Sequence, residues 1–162
     1  MIDTAKVTDR RELKFSCQNC IVNDIDKLVA SGEVTSIGNW PPGKIVQHIA
    51  DQINMSIDGF PKRAPLPIRL GGKMMFKKIL SGGMKPGINL PPDFEAMLPP
   101  EDTPFADAVE NLHKAAGRLE NEQMNAEHPV FGKLSHGDWM KLHCRHAEMH
   151  FSFLKPAGDA SG

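Results

Sequence analysis

Four isoleucines, Ile45, Ile49, Ile53 and Ile57, recur at every fourth residue through "PGKIVQHIADQINMSIDG". Residues four apart stack on one side of an α-helix, so this spacing predicts a helix from about Pro42 to Gly59. Proline at its start is compatible, because the first helical turn has no use for the missing N–H. Three other stretches carry the same periodicity. From about Asp9 to Ala30, ending at Gly32, the stripe is Leu13, Cys17, Cys20, Ile21, Asp24 and Leu28. From about Thr103 to Asn125 it is Phe105, Ala108, Val109, Leu112, Ala115, Ala116 and Leu119. The last stretch runs from Ser135 to Leu154. Asp138, three residues after Ser135, stands where a capping box has Glu, and Pro156 with Gly158 stops the helix.

Link lengths then suggest a topology. Short links make the first and second helices antiparallel neighbours, and likewise the third and fourth, while the long link between the pairs permits a crossover. The expected fold is all-α: a four-helix bundle with a long Pro/Gly-rich crossover between helices 2 and 3. The 162 residues form a single domain, with an ordered core over about 9–155 and a flexible tail over 156–162. A hydrophobic share of 40% supports a core, and 24% charged residues argues against a disordered chain.

The crossover has its own composition. Nine of the 13 prolines lie between Pro61 and Pro104. Gly71-Gly72 and Gly82-Gly83 bracket "KMMFKKIL", which reads as one short helix. From Pro61 to Pro92 there are seven basic residues (Lys62, Arg63, Arg69, Lys73, Lys77, Lys78 and Lys85) and no acidic ones. This segment is either a solvated loop or a lid that attracts an anionic ligand. The net charge of −1 provides no field for nucleic acid, and aromatic residues do not interleave with the basic ones. No run of 18 apolar residues or signal-like start occurs, so neither a membrane span nor secretion is expected. With three cysteines, the expectation is free thiols in a reducing cytoplasm.

Chemistry concentrates in "HCRHAEMHFSFL", which holds three of the seven histidines. At about 100° per residue, Trp139, Leu142, His146 and Phe153 share an arc of about 60°. His146 is therefore central on the apolar face, with His150 one turn on. His143 falls at the margin, behind the other two or at the surface. Imidazoles at i and i+4 can bring two nitrogens to one point, which suits a cation. The pair alone reads sooner as structural histidines, since a catalytic metal normally needs a third protein ligand. His48 is the best candidate, although it lies roughly 110° from the isoleucine stripe.

Other polar residues have plainer readings. His113 flanks a stripe, His128 precedes Pro129 and is therefore extended, and His136 sits near a helix cap. Cys17-x2-Cys20 could suggest zinc or redox chemistry, but it lacks a second pair and falls on an apolar stripe, so core packing is expected. Asp24 could join a buried network, accept from a ligating histidine, or reach water at a helix end.

Taken together, "GNWPPGKIVQHIADQI", the long crossover and "HPVFGKLSHGDWMKLHCRHAEMHFSFL" resemble the DinB-like superfamily of metal-binding four-helix bundles. The resemblance runs from about residue 10 to Leu154 and is closest to a branch known only as a domain of unknown function. It implies a metal site of one histidine on helix 2 and an H-x3-H pair on helix 4: His48, His146 and His150. Pro41 follows Trp40 where relatives often have Ser or Thr, and Met149 stands where many have another histidine. Some members are metal-dependent transferases or isomerases acting with thiols such as bacillithiol or mycothiol, and related bundles often form dimers.

The expected function is thus a metal-dependent enzyme, a thiol-dependent transferase or isomerase. Its cofactor would be a divalent ion, nickel or zinc first, then iron or copper. Its partners would be a small-molecule thiol or anionic substrate, and a second copy in a homodimer. A non-catalytic metal-binding or interaction module and a metal-dependent hydrolase are the alternatives.

Overall fold

The computed structural model describes residues 1–87, 92–95 and 97–159. Its α-helices are α1 (Gln18–Ala30), α2 (Pro42–Asp58), α3 (Leu66–Gly82), α4 (Pro92–Glu95), α5 (Phe105–Arg118) and α6 (His136–Phe151). Short strands are β1 (Val34–Ser36), β2 (Glu127–His128), β3 (Gly132–Lys133) and β4 (Leu154–Pro156). The protein is mostly helical, as its periodicity predicts. Among the described residues, no helix is long and apolar enough to cross a membrane.

Much of the core comes from the predicted stripes, with Ile25, Ala147 and Phe151 added and Leu13, Cys17 and Asp24 only partly buried. Ile21, Ile25 and Leu28 of α1 and Ile45, Ile49 and Ile53 of α2 belong to one buried cluster, although α1 lies mainly against α5 and α6 and not, as its short link suggests, against α2. Ala108, Leu112 and Ala115 of α5 and Trp139, Leu142, Ala147 and Phe151 of α6 complete the cluster. α2 packs against both α5 and α6, and α1 does the same. Alanines on α5 keep its inner face low, which lets the branched side chains of α2 come close. Gly43 has a similar role: a Cβ there would lie 1.9 Å from the Thr103 carbonyl oxygen.

The first helix begins at Gln18, not at Asp9. The preceding residues form a strap across the C-terminal helix. The Arg11 N–H donates to the Ser152 carbonyl at 2.9 Å, and the Phe15 N–H donates to Glu148 Oε1 at 2.6 Å. Phe15 is buried edge-on against Phe151, with ring centroids 6.4 Å apart. Burying that ring and pairing its backbone on α6 outweigh the local spacing that favoured helix.

The third predicted helix stops at Arg118, short of Asn125. The chain turns so that Met124 enters the core and the Ala126 N–H reaches the Ser56 carbonyl at 3.1 Å. The last helix stops at Phe151, because Leu154–Pro156 pairs antiparallel with Val34–Ser36. These strands, and the β2–β3 pair, carry no periodicity long enough to show in the sequence. The Ser135 cap is as expected: its Oγ accepts from the Asp138 N–H at 3.1 Å and donates to the Asp138 carboxylate at 2.8 Å.

The crossover is more ordered than expected. α3 has 17 residues and runs straight through Gly71-Gly72. Gly72 is buried there, and a Cβ would meet Val130 Cγ1 at 2.3 Å, so this glycine admits close packing and does not stop the helix. The helix ends at Gly83, whose φ of +85° suits a residue without Cβ. Leu66, Leu70, Met74 and Met75 remain exposed on α3. The expected flexible tail is structured in part: Pro156 belongs to β4 and Ala157–Asp159 forms a 3-10 turn. The rest of that tail lies outside the described residues.

Candidate metal centre

α2 brings His48 inward although it stands off the isoleucine stripe. Lys44, Ile45, Val46, His48, Ile49 and Ala50 are all buried, so α2 is covered on more than one side. α6 supplies the second covering surface, and its His146 faces His48 with the two Nε2 atoms 3.2 Å apart. His150 follows one turn later. Ring centroids are 4.9 Å apart for His48–His146, 4.9 Å for His48–His150 and 4.7 Å for His146–His150. One nitrogen from each ring lies within 4.8 Å of the others. His48 is buried, while His146 and His150 keep some exposed surface.

The surroundings hold these rings in place and keep them neutral. Trp40 stacks on His150, with centroids 5.1 Å apart and planes at 16°, and meets His48 edge-on at 5.3 Å. The Lys44 ammonium lies 5.0 Å from the Trp40 ring and pairs with Glu101. Burial holds the His48 pKa well below the usual value, helped by the charges of His146 and Lys44. Burial likewise lowers His150, and it brings His146 down to about 4. Neutral imidazoles offer free lone pairs, which is what a cation requires. Nitrogens bound at about 2.0–2.1 Å to a tetrahedral ion lie about 3.3 Å apart, close to the His48–His146 separation. The three imidazoles could therefore hold a metal ion.

The remaining sequence candidates separate clearly. His143 is buried, stacked on Trp139 at 5.3 Å and 19°, and its Nε2 has no hydrogen-bond partner among the described residues. Burial, then the charges of His146 and His128, lower its pKa to about 3. His128 is extended, as Pro129 requires, and its Nδ1 accepts from the Val130 and Phe131 N–H groups at 3.0 and 3.1 Å. Its ring packs against Phe131, Phe60 and Trp139, so it is less peripheral than its sequence position suggests. His113 is a surface residue, 2.8 Å from Asp26, and His136 is exposed.

Asp24 accepts two bonds from Arg11, at 3.0 and 2.7 Å, and its described partners do not include His48, His146 or His150. Arg11 also donates to the Phe151 carbonyl at 3.0 Å, so the buried-network reading of Asp24 holds. The cysteine expectation holds in part: Cys17 and Cys20 are only half-buried at the start of α1, which begins nine residues after the predicted start, and of the two Cys20 packs against the core. Trp40 and Lys44 are the residues that the spacing argument missed. Neither belongs to a recurring ligand pattern, and only the fold brings them to the histidines.

Fold and site define a helical protein with three imidazoles converging from two helices. The chain belongs to the family described as "Protein of unknown function (DUF1569)", whose model matches residues 7–157. No curated protein and no solved structure matches it.

Proposed function

We propose that His48, His146 and His150 hold one divalent cation, nickel or zinc before iron or copper, in a metal-dependent enzyme of the DinB-like superfamily. The observation carrying this reading is the convergence of three imidazole nitrogens within 4.8 Å. On the same reading, α1, α2, α5 and α6 are the four helices of a DinB-like bundle. Trp40 fixes the His150 ring through stacking, and Lys44 supplies positive charge beside it. A bound cation would contribute Lewis acidity, lowering the pKa of a thiol or of water.

The reaction proposed is transfer or isomerisation with a small-molecule thiol, in a cytoplasmic and dimeric protein. Arg69, Lys73, Lys77 and Lys78, now placed on α3, would attract the carboxylates of such a thiol. This part of the reading draws on family resemblance and on charge.

Metal loading tests the site. Tag-free protein, stripped with chelator and titrated with Zn²⁺ or Ni²⁺, should take up one ion per chain by elemental analysis. His48→Ala and His146→Ala should each lose it, and unchanged metal content in His146→Ala would overturn the ligand set. The 3.2 Å contact also fits an N–H···N bond between the rings, so a metal-free pair is the competing reading and predicts no stoichiometric uptake. Turnover assays with and without bacillithiol, mycothiol and glutathione separate thiol chemistry from hydrolysis, which needs no added thiol. A large fall in melting temperature on chelation with no turnover would favour a non-catalytic metal-binding module.

A further inference from the structure

The Cys17–Cys20 pair belongs to no part of the metal centre. Cys17 is the residue preceding the first turn of α1, in extended conformation at φ −156° and ψ 167°. Cys20 is the third residue of that helix, and the two sulfurs are 2.9 Å apart. Both residues keep exposed surface, and Ser16 beside them is exposed. The Ser16 hydroxyl is 3.6 Å from the Cys20 sulfur. The Cys20 thiol is lowered to about 7, first by its contact with Cys17 and then by the Ser16 backbone and hydroxyl. Cys144 makes the contrast: it is buried, and burial pushes its thiol up to about 11. A thiolate is the reactive form, and a helix start favours it.

We propose that Cys17 and Cys20 form a redox-active dithiol that closes to an intrachain disulfide by exchange with a low-molecular-weight disulfide. The Cys20 thiolate attacks one sulfur of the small disulfide, whose S–S bond breaks. Cys20 is then joined to one half, and the other half leaves as a thiolate. Cys17 gives its proton to solvent and attacks the Cys20 sulfur, which expels the second thiolate. Both leaving groups take up protons. Two cysteine thiols are oxidised, and one small disulfide is reduced to two thiols. A disulfide is about 2.05 Å long, so the sulfurs need to approach by less than about 1 Å. Cys20 packs one side against the core, but both residues keep exposed surface, so the exchange partner has access to Cys20.

The test uses full-length, tag-free protein with chelator present, so that its outcome is independent of the metal centre. Reduced protein is equilibrated in buffers of varied oxidised and reduced glutathione, quenched, denatured and alkylated, then weighed intact. With oxidation, the number of alkylated cysteines should fall from three to one. Peptide mapping should place the bond at Cys17–Cys20 and the remaining label on Cys144. Cys17→Ser should accumulate a glutathione adduct on Cys20, whereas Cys144→Ser should behave as wild type. The alkylation rate of Cys20 in the wild-type chain should rise with a midpoint near pH 7. Three labels at every glutathione ratio, a bond involving Cys144, or an alkylation midpoint at that of an ordinary thiol would each overturn the proposal.

Discussion

Replacing His143 with phenylalanine should reduce the loss of stability between pH 8 and pH 5 by about 2 kcal/mol. The His143 ring is buried and stacked on Trp139, with Nε2 unpartnered. Its pKa is about 3, against a usual value of 6.5. Between those values, the unfolded chain takes up a proton that the folded protein refuses. The contribution to stability is therefore complete above pH 6.5 and is lost progressively as pH falls through the window. At pH 5, 1.5 units below the unfolded value, the loss is about 2 kcal/mol. Phenylalanine keeps the stacking and cannot titrate. Any strain from its larger ring is the same at both pH values and cancels, as do the titrations of the other histidines. Urea unfolding of both proteins, in chelator, at pH 8 and pH 5 gives the comparison. With m of about 2 kcal/mol/M, the gap between their midpoints should change by about 1 M. Midpoints that move in parallel would mean that His143 is solvated or already charged in the folded state, and would refute the reasoning.

Three further outcomes follow from named contacts. Gly43→Ala places a Cβ 1.9 Å from a backbone oxygen and should destabilise by about 3 kcal/mol, more than Gly72→Ala, where the obstacle is a valine side chain at 2.3 Å; the reverse order in urea unfolding would contradict this. Trp40→Ala should weaken Zn²⁺ binding about 10-fold with the stoichiometry retained, as read by calorimetry, because the His150 ring loses its stacking partner; an unchanged Kd would remove that role. Arg11→Met leaves the Asp24 carboxylate, 14% exposed, without its cation and should cost about 2–4 kcal/mol, partly recovered by adding Asp24→Leu; a cost within about 0.5 kcal/mol would rule out the buried network.

The helices were legible where burial is periodic. The stripes of α2 and α5 appear in the sequence because each helix turns its apolar residues to the same neighbours throughout. His146 and His150 were legible for the same reason. The inward position of His48 was not, since it depends on α6 covering a second side of α2, and residue spacing within one helix carries no information about a second neighbour. Local spacing extends the first helix too far because Leu13 and Cys17 continue it by coincidence, while Phe15, which anchors the strap to α6, breaks it. Gly71-Gly72 read as a stop signal because a local rule cannot see that Val130 lies against that face. Trp40 and Lys44 illustrate the same limit: one comes from a loop and the other from a helix start, and what they share with the histidines is position in space.

The strap also bears on how the chain comes to be folded. The Phe15 N–H bonds a carboxylate 133 residues further on, and Arg10 reaches the Ser152 hydroxyl across 142 residues. During synthesis, the first of these partners emerges long before the second exists. Leu13 and Phe15 therefore stay uncovered until α6 has been made, and closing so long a loop is among the slower steps available to the chain. The strap, made before the helix it sits on, is among the last parts to be seated, and in the interval it presents the apolar surface that a chaperone would meet.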